Sequence, residues 1–339
     1  MFNQSTRLTH KSALVFLVGS FVPWLPRAAG DVVIVSTKAE RNARVTGEIV
    51  ELTGAGVVIR RGNGRDETIP GSKVIEVLSS WTEHHRQADL RFDRREYRPA
   101  LVGYRQAMRE EPRRWAKRRI AARLVWCNRY LGQVEQAGQM FKVLYRSDPT
   151  TRDFAAIPLA WTTERIDAQT DRLAQQWLLD KASSVAQLMA ASWLLSTSSR
   201  PACLETLKRL SSHDDARIAF LAEAQLWRTQ TASASGDEVA RWSARVDRMP
   251  PTIQAGPCFV LATGLSHHDA FDSAALAYLR IPILHPKHRR LSAQALLGAA
   301  NQLEKLGQAS EAQGLYREIL VDYADDPSAV QSRQKFEGK

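Results

Sequence analysis

The sequence has few cysteines and lacks the motifs that mark the commonest catalytic and metal sites. Its three cysteines, Cys127, Cys203 and Cys258, form no CxxC pair and no other metal-ligand spacing. There is no glycine-rich phosphate loop, no HExxH and no nucleophile elbow. We therefore expect no disulfide framework, no cofactor and no catalytic residues. Buried free thiols are the expected state, and a bridge between Cys203 and Cys258 is the alternative that an oxidising compartment would permit.

Histidines are the only candidate metal ligands, and they occur mostly as neighbours in the chain. Six of the eight histidines are the candidates, namely His84, His85, His267, His268, His285 and His288. Adjacent histidines on a helix point in different directions, so such a pair rarely binds one ion. We expect no metal site.

Long apolar runs are also missing. The apolar run from Ala13 to Val22 has about ten residues, whereas a transmembrane helix needs roughly 20. Arg7 and Lys11 precede it and the small residue Gly30 follows, as is typical of a secretory signal cleaved after that glycine. We therefore predict a signal peptide over 1–30 and an exported, periplasmic or cell-envelope protein. An uncleaved N-terminal anchor is the alternative.

Acidic residues are outnumbered by basic ones. The chain has 36 Asp and Glu against 47 Lys and Arg, for a formal charge of +11 and a pI near 9.8. This balance is compatible with an anionic partner, but net charge alone does not choose one. With 44% hydrophobic and 24% charged residues in 339, the chain can bury a sizeable core in two or more structural units.

Residues 31–80 read as a small strand-rich module. Four short runs rich in β-branched residues, DVVIVS, TGEIVELT, GVVIRR and KVIEVLS, are separated by glycine-containing breaks. Asn63 and Gly64 suit a tight hairpin between two of the strands, since both tolerate positive φ. The order of these strands and glycines resembles that of a small Sm-like or SH3-like barrel. The resemblance implies a module that binds RNA or peptides, or that has no ligand. Because no aromatic cluster suited to stacking bases lies here, we interpret the module as a docking element.

Two later stretches of the chain share one residue skeleton at an offset of 37 residues. In each, an alanine is followed four residues on by an aromatic residue and later by a proline. The matched positions are Ala100, Tyr104, Ala107 and Pro112 in the first unit and Ala137, Phe141, Leu144 and Pro149 in the second. Further copies lie at Ala274, Tyr278, Ile281 and Pro286, and at Ala312, Tyr316 and Ile319. A fixed offset over several positions indicates an internal repeat.

This skeleton resembles the tetratricopeptide repeat, a helical hairpin of about 34 residues. The resemblance implies that the alanines lie where paired helices touch, that the aromatic side chain fills the gap toward the next hairpin, and that the proline ends the second helix. Gly132 and Gly307 would form the turns between paired helices, and Arg95 stands at that place in the first unit.

The predicted fold class is therefore mainly α. We expect a tetratricopeptide-like helical solenoid over 81–339, preceded by a small β-barrel-like module over 31–80. The repeats are clear near 81–149 and 288–327 and degenerate between those ranges. Between those ranges, apolar residues recur at helical spacing without the full repeat skeleton. This spacing indicates further helical hairpins there.

Arginine is concentrated in one segment of the chain, which makes that segment the strongest candidate for a binding surface. Residues 83–129 hold fourteen basic and six acidic side chains. If Gly132 is a hairpin turn, helical spacing aligns one stripe on the preceding helix. The predicted partner-binding residues on this stripe are Arg119, Arg123, Trp126, Arg129 and Tyr130. Guanidinium groups pair with carboxylate or phosphate, and the rings offer an apolar platform, although core packing competes for the tryptophan. A solvated charged face is the alternative.

The resemblance implies a non-enzymatic interaction scaffold, because proteins of this repeat class hold peptides or other proteins on a concave face. The expected partner is an acidic protein or peptide of the bacterial cell envelope, or else an anionic glycan or lipid. The alternative is a nucleic-acid-binding protein in which the arginine-rich repeats and the barrel act together. The predicted export argues against that alternative.

Overall fold

A computed structural model describes residues 30–37, 42–163 and 166–337. The apolar N-terminal segment that predicts a signal peptide lies outside these residues. Within them the chain is mainly helical, with one small antiparallel sheet at its N-terminal end. Among the described residues, no helix is both long and apolar enough to cross a lipid bilayer.

The sheet has five strands in the order β4-β3-β2-β1-β5, and every neighbouring pair is antiparallel. The strands are β1 (Asp31–Ser36), β2 (Asn42–Leu52), β3 (Gly56–Arg60), β4 (Asp66–Pro70) and β5 (Val74–Leu78). In register, Val33 of β1 faces Val45 of β2 on one side and Val77 of β5 on the other. The prediction of short strands in this region is confirmed. Of the predicted turn pair only Gly64 has a positive φ, +77°, so Asn63 does not need a left-handed backbone.

Fourteen α-helices follow in the described part of the chain. They are α1 (Glu83–Asp93), α2 (Tyr97–Glu110), α3 (Arg114–Tyr130), α4 (Val134–Ser147), α5 (Ala168–Leu179), α6 (Ser184–Leu194), α7 (Arg200–Leu210), α8 (Ala216–Trp227), α9 (Gly236–Asp247), α10 (Ala255–His267), α11 (Phe271–Leu284), α12 (Arg289–Lys305), α13 (Ala309–Asp322) and α14 (Pro327–Glu337). Most consecutive helices pack against each other, including those between the clear repeats.

Four of the turns between paired helices have the same backbone conformation. Arg95, Gly132, Asp269 and Gly307 have φ values of 65°, 70°, 54° and 75°. The residue after each one donates its N–H to a carbonyl five residues earlier, the hydrogen bond that closes a helix in a Schellman motif. The four turns belong to the pairs α1–α2, α3–α4, α10–α11 and α12–α13. The backbone therefore repeats even where arginine or aspartate replaces glycine.

The alanine five residues after each of these turns is fully buried, at 0% exposure. These alanines are Ala100, Ala137, Ala274 and Ala312. Four residues further on, Tyr104, Phe141, Tyr278 and Tyr316 are also buried. A small side chain here lets the paired helices approach closely, and the aromatic ring fills the space one turn later.

Enlarging a buried repeat alanine is expected to destabilise the fold. Ala137→Leu and Ala312→Leu each add volume where no space remains, so each is expected to lower the free energy of unfolding by roughly 1 to 3 kcal/mol. Ala309→Leu, at an exposed position of the same helix α13, is the matched control. Denaturant unfolding measures the effect. Unchanged midpoints at the buried positions would contradict the packing described here.

The strand module is docked firmly on α3 and on the segment that follows α4. Trp115 of α3, 1% exposed, completes the module's apolar core beside Val33 and Ile59, and its Nε1 donates to the carbonyl of Ile49 at 3.0 Å. On the other side, a β-carbon on Gly54 would lie 1.6 Å from the Thr150 carbonyl oxygen, so only glycine fits. The module and the helices are thus packed as one body along this face.

The first helical hairpins contact the last ones. The hydroxyl of Tyr130 at the end of α3 donates to the carbonyl of Lys287 in the α11–α12 turn at 2.7 Å. Arg95, in the α1–α2 turn, donates to the carbonyl of Asp322 at the end of α13 at 3.3 Å. These contacts bring the C-terminal end of α3 beside the α11–α12 turn.

Candidate functional site

A cleft of about 310 Å³ lies between the strand module and α3. Its walls are the β2–β3 turn (52–54), β5 (74–77), the α3 face between residues 115 and 126, the segment 148–153 and Lys287. Because two separate structural units and the distant α11–α12 turn meet here, the cleft exists only in the folded chain. Five of its side chains are basic and three are acidic.

Arg119 and Lys287 are the two cations of the cleft that have no ion-pair partner among the described residues. Both side chains are exposed, and neither forms an ion pair or a side-chain hydrogen bond with another described residue. The Arg119 guanidinium lies 5.8 Å from the centre of the Trp81 ring, which orients it without neutralising its charge. Although the residue is exposed overall, desolvation by the cleft walls lowers the pKa of Arg119, while the carboxylate of Asp153 acts in the opposite direction. The two cations are available to a ligand.

The other basic groups of the cleft are bound to protein atoms. Arg123 lies with its Nε 3.5 Å from Asp89, and Arg118 pairs with Glu51. Arg152 donates Nη1 to the carbonyl of Val74 at 2.9 Å and Nη2 to that of Gly71. These contacts hold the walls of the cleft in place, although Arg152 is exposed and Arg123 stays about one-third exposed.

The carboxylate of Asp153 would compete with an anionic ligand for the positive charge of Arg119 and Lys287. Burial raises the pKa of its carboxyl, and the nearby cations Arg119, Lys287 and Arg123 oppose that shift. No side-chain hydrogen bond to it is found among the described residues. A half-buried carboxylate that faces cations without contacting them weakens the attraction for an incoming anion.

Trp126 lines both this cleft and a second cavity of about 120 Å³ that lies further along α3. In other hairpins, the residue fifteen positions before the buried aromatic is polar and contacts its hydroxyl. Such contacts join Tyr104 to Asp89, Tyr278 to Thr263 and Tyr316 to Asn301. In the second unit the aromatic is Phe141, which has no hydroxyl, and the position fifteen residues earlier is Trp126. This indole is 5% exposed, so packing takes most of its surface.

The predicted stripe lies on one face of α3, but only its N-terminal part faces the cleft. Arg119, Arg123 and Trp126 line the cleft. Arg129 instead donates Nη1 to the carbonyl of Ala155 at 3.1 Å and lies over the Trp126 ring, and burial lowers its pKa to about 10. Burial also raises the pKa of Tyr130, whose hydroxyl is bound to the α11–α12 turn. Arg129 is thus bound to protein groups, whereas Lys287, which was not among the predicted residues, lines the cleft.

Lys287, Asp153 and the β5 wall were not among the predicted site residues. They belong to segments that are distant in sequence from α3, so periodicity within α3 does not indicate them. The one available signal was the basic run PKHRR, residues 286–290, which continues the positive charge of the chain.

The three cysteines lie buried as free thiols, away from the walls of the cleft. Burial raises the pKa of Cys127 to about 12, which keeps the thiol protonated and unreactive at neutral pH. Within the described ranges, no three His, Cys, Asp or Glu side chains come together in a way that could hold a metal ion. The chemistry that the cleft offers is charge-assisted hydrogen bonding to an anion.

The sequence matches no known family model and no curated protein.

Proposed function

We propose that the protein is a non-enzymatic binding scaffold that holds an acidic segment of a partner protein in the cleft between the strand module and α3. The observation that carries this proposal is that two cations without an ion-pair partner among the described residues, Arg119 and Lys287, line one cleft. The Arg119 guanidinium is oriented by the Trp81 ring, so it binds a carboxylate with less loss of conformational entropy than a flexible side chain would, and Lys287 adds a second positive charge to the same cleft.

The finer fold assignment is part of the same proposal. The helices form a tetratricopeptide-like solenoid, and the strand module is a small barrel-like element docked at its start. Four equivalent turns and four fully buried alanines support the repeat. The walls of such a scaffold come from several repeats, which fits a cleft built from α3 and the α11–α12 turn.

Export to the cell envelope completes the proposal. It rests on the basic residues and the apolar run before Gly30, where a signal peptidase is expected to cut. Intact-mass analysis of protein recovered from the periplasm of an expressing bacterium is expected to give a chain that begins at Asp31. Recovery of a chain that retains Met1 would favour an N-terminal anchor.

Binding of two peptide pools tests the proposed partner chemistry. One pool contains terminally blocked heptapeptides with glutamate at positions 3 and 5 and random residues elsewhere, and the matched pool has lysine at those positions. Immobilised protein is expected to retain the glutamate pool at least tenfold better, with retention falling as salt rises. Equal retention of both pools would contradict the proposal. Tighter binding of a single-stranded oligonucleotide of equal charge would favour the nucleic-acid alternative.

A further inference from the structure

The outermost strand of the sheet forms one wall of the cleft. β5 pairs along its inner edge with β1 and ends the sheet on that side. Its residues Val74, Ile75, Glu76 and Val77 all line the cleft. An edge strand carries a row of backbone N–H and C=O groups that its own sheet leaves unpaired.

The outer edge of β5 is covered at one end only. Arg152 clamps the corner before the strand by donating to the carbonyls of Gly71 and Val74. From Ile75 to Leu78, no hydrogen bond reaches the outer edge from another element in the described part of the chain. The side chains are uncovered as well, since Ile75 is 51% exposed and Leu78 36% exposed.

From these contacts we propose that the ligand binds as an extended strand, which adds to the outer edge of β5 and places an acidic side chain against Arg119 and Lys287. This inference rests on the proposed function and names the way in which the partner segment is recognised. Main-chain hydrogen bonds to an exposed edge give affinity, and pockets for alternate side chains give specificity.

The positions of the charges fit this arrangement. Glu76, at the centre of the edge, and Arg119 of α3 line the same cleft. A strand beside β5 would therefore run past Arg119 itself. Side chains on one face of an extended peptide recur about every 7 Å, so alternate residues of the ligand would face α3 while the others face away. We expect acidic residues at alternate positions of the bound segment.

Backbone N-methylation of the peptide distinguishes strand addition from simple charge attraction. The tightest-binding member of the glutamate pool is resynthesised with one N-methyl group at each position in turn. Methylation removes an N–H donor without changing charge, and only alternate residues of an added strand direct that donor toward the edge. We expect a loss of affinity of tenfold or more at alternate central positions and less than threefold at the positions between them.

Two exposed side chains give a matched test of location. Ile75→Asp places a carboxylate on the β5 edge, whereas Val143→Asp places one on α4, and the two wild-type residues are 51% and 52% exposed. The first variant is expected to weaken binding of the same peptide at least tenfold, and the second to leave it within twofold. Equal effects of the two variants would place the peptide elsewhere.

The possible outcomes separate this inference from the proposed function. If the glutamate pool binds, depends on Arg119, and shows no alternation on N-methylation, strand addition is wrong and anion binding by the cleft stands. If the pool does not bind, both fail. Sedimentation that shows a dimer disrupted by Ile75→Asp would overturn the inference in another way, because a second copy would then occupy the edge.

Discussion

Trp115→Ala is expected to lower the free energy of unfolding by about 3 to 5 kcal/mol, the range measured for emptying the space of a large buried aromatic side chain. The indole belongs to α3, but it packs within the apolar core of the strand module. It also contacts the edge of the Trp81 ring, at a centroid distance of 5.7 Å. Its removal would open a cavity at the joint between the two units. Chemical denaturation followed by circular dichroism measures the loss.

Trp115→Phe is the matched control for this variant. It keeps most of the ring but removes the Nε1 donor, which leaves the carbonyl of Ile49 without its partner. An unpaired buried carbonyl costs about 1 to 3 kcal/mol, so this variant should be intermediate in stability. A Trp115→Ala protein within 1 kcal/mol of the wild type would show that the module does not depend on α3 for its core.

Charge reversal of both free cations is expected to weaken binding of the glutamate peptide by at least 30-fold. In Arg119→Glu with Lys287→Glu, two attractive contacts become repulsive, and a loss of about 2 kcal/mol corresponds to that factor. Neither cation forms an ion pair with another described residue, so the substitutions break no such pair in the folded chain. Circular dichroism checks that the variant is folded.

The matched control is Arg98→Glu with Lys181→Glu, which changes the net charge equally at two exposed positions outside the cleft. It is expected to change affinity by less than threefold at physiological salt. Asp153→Asn should act in the opposite sense and strengthen binding, because it removes the competing carboxylate. If both charge reversals weaken binding alike, the effect is that of net charge and the cleft is not the site.

Binding by the wild type should strengthen as the pH falls toward the pKa of Asp153. Because burial raises that pKa, the carboxyl takes up its proton at a higher pH than an ordinary aspartate does. The comparison is made above pH 4.3, near which the ligand glutamates with ordinary pKa values lose their own charge. Asp153→Asn should lack this strengthening.

Much of the helical packing could be predicted because each hairpin determines its own pattern of burial. Ala137 and Phe141 recur at the same spacing as Ala100 and Tyr104, and all four are buried. What the residue types did not indicate was the left-handed conformation of Arg95 and Asp269. There the packing of the paired helices outweighs the preference of the residue for negative φ.

The candidate site was only half predictable for a related reason. Helical periodicity placed Arg119, Arg123 and Trp126 on one stripe, which depends on local geometry alone. The contacts of Arg129 and Tyr130 depend on segments up to 159 positions away along the chain. No local sequence pattern predicts such distant contacts. The position of β5 beside α3 is equally unpredictable, because it depends on the docking of the strand module through Trp115.

Hydrogen–deuterium exchange with and without the tightest glutamate peptide tests the central claim most directly, because it locates the bound segment without any substitution. Amides at the free edge of β5, which face solvent in the unliganded protein, should exchange more slowly when the peptide is bound, and the β2–β3 turn should gain protection with them. Protection confined to the far side of Trp126, around the second cavity, with none on β5, would contradict binding in this cleft.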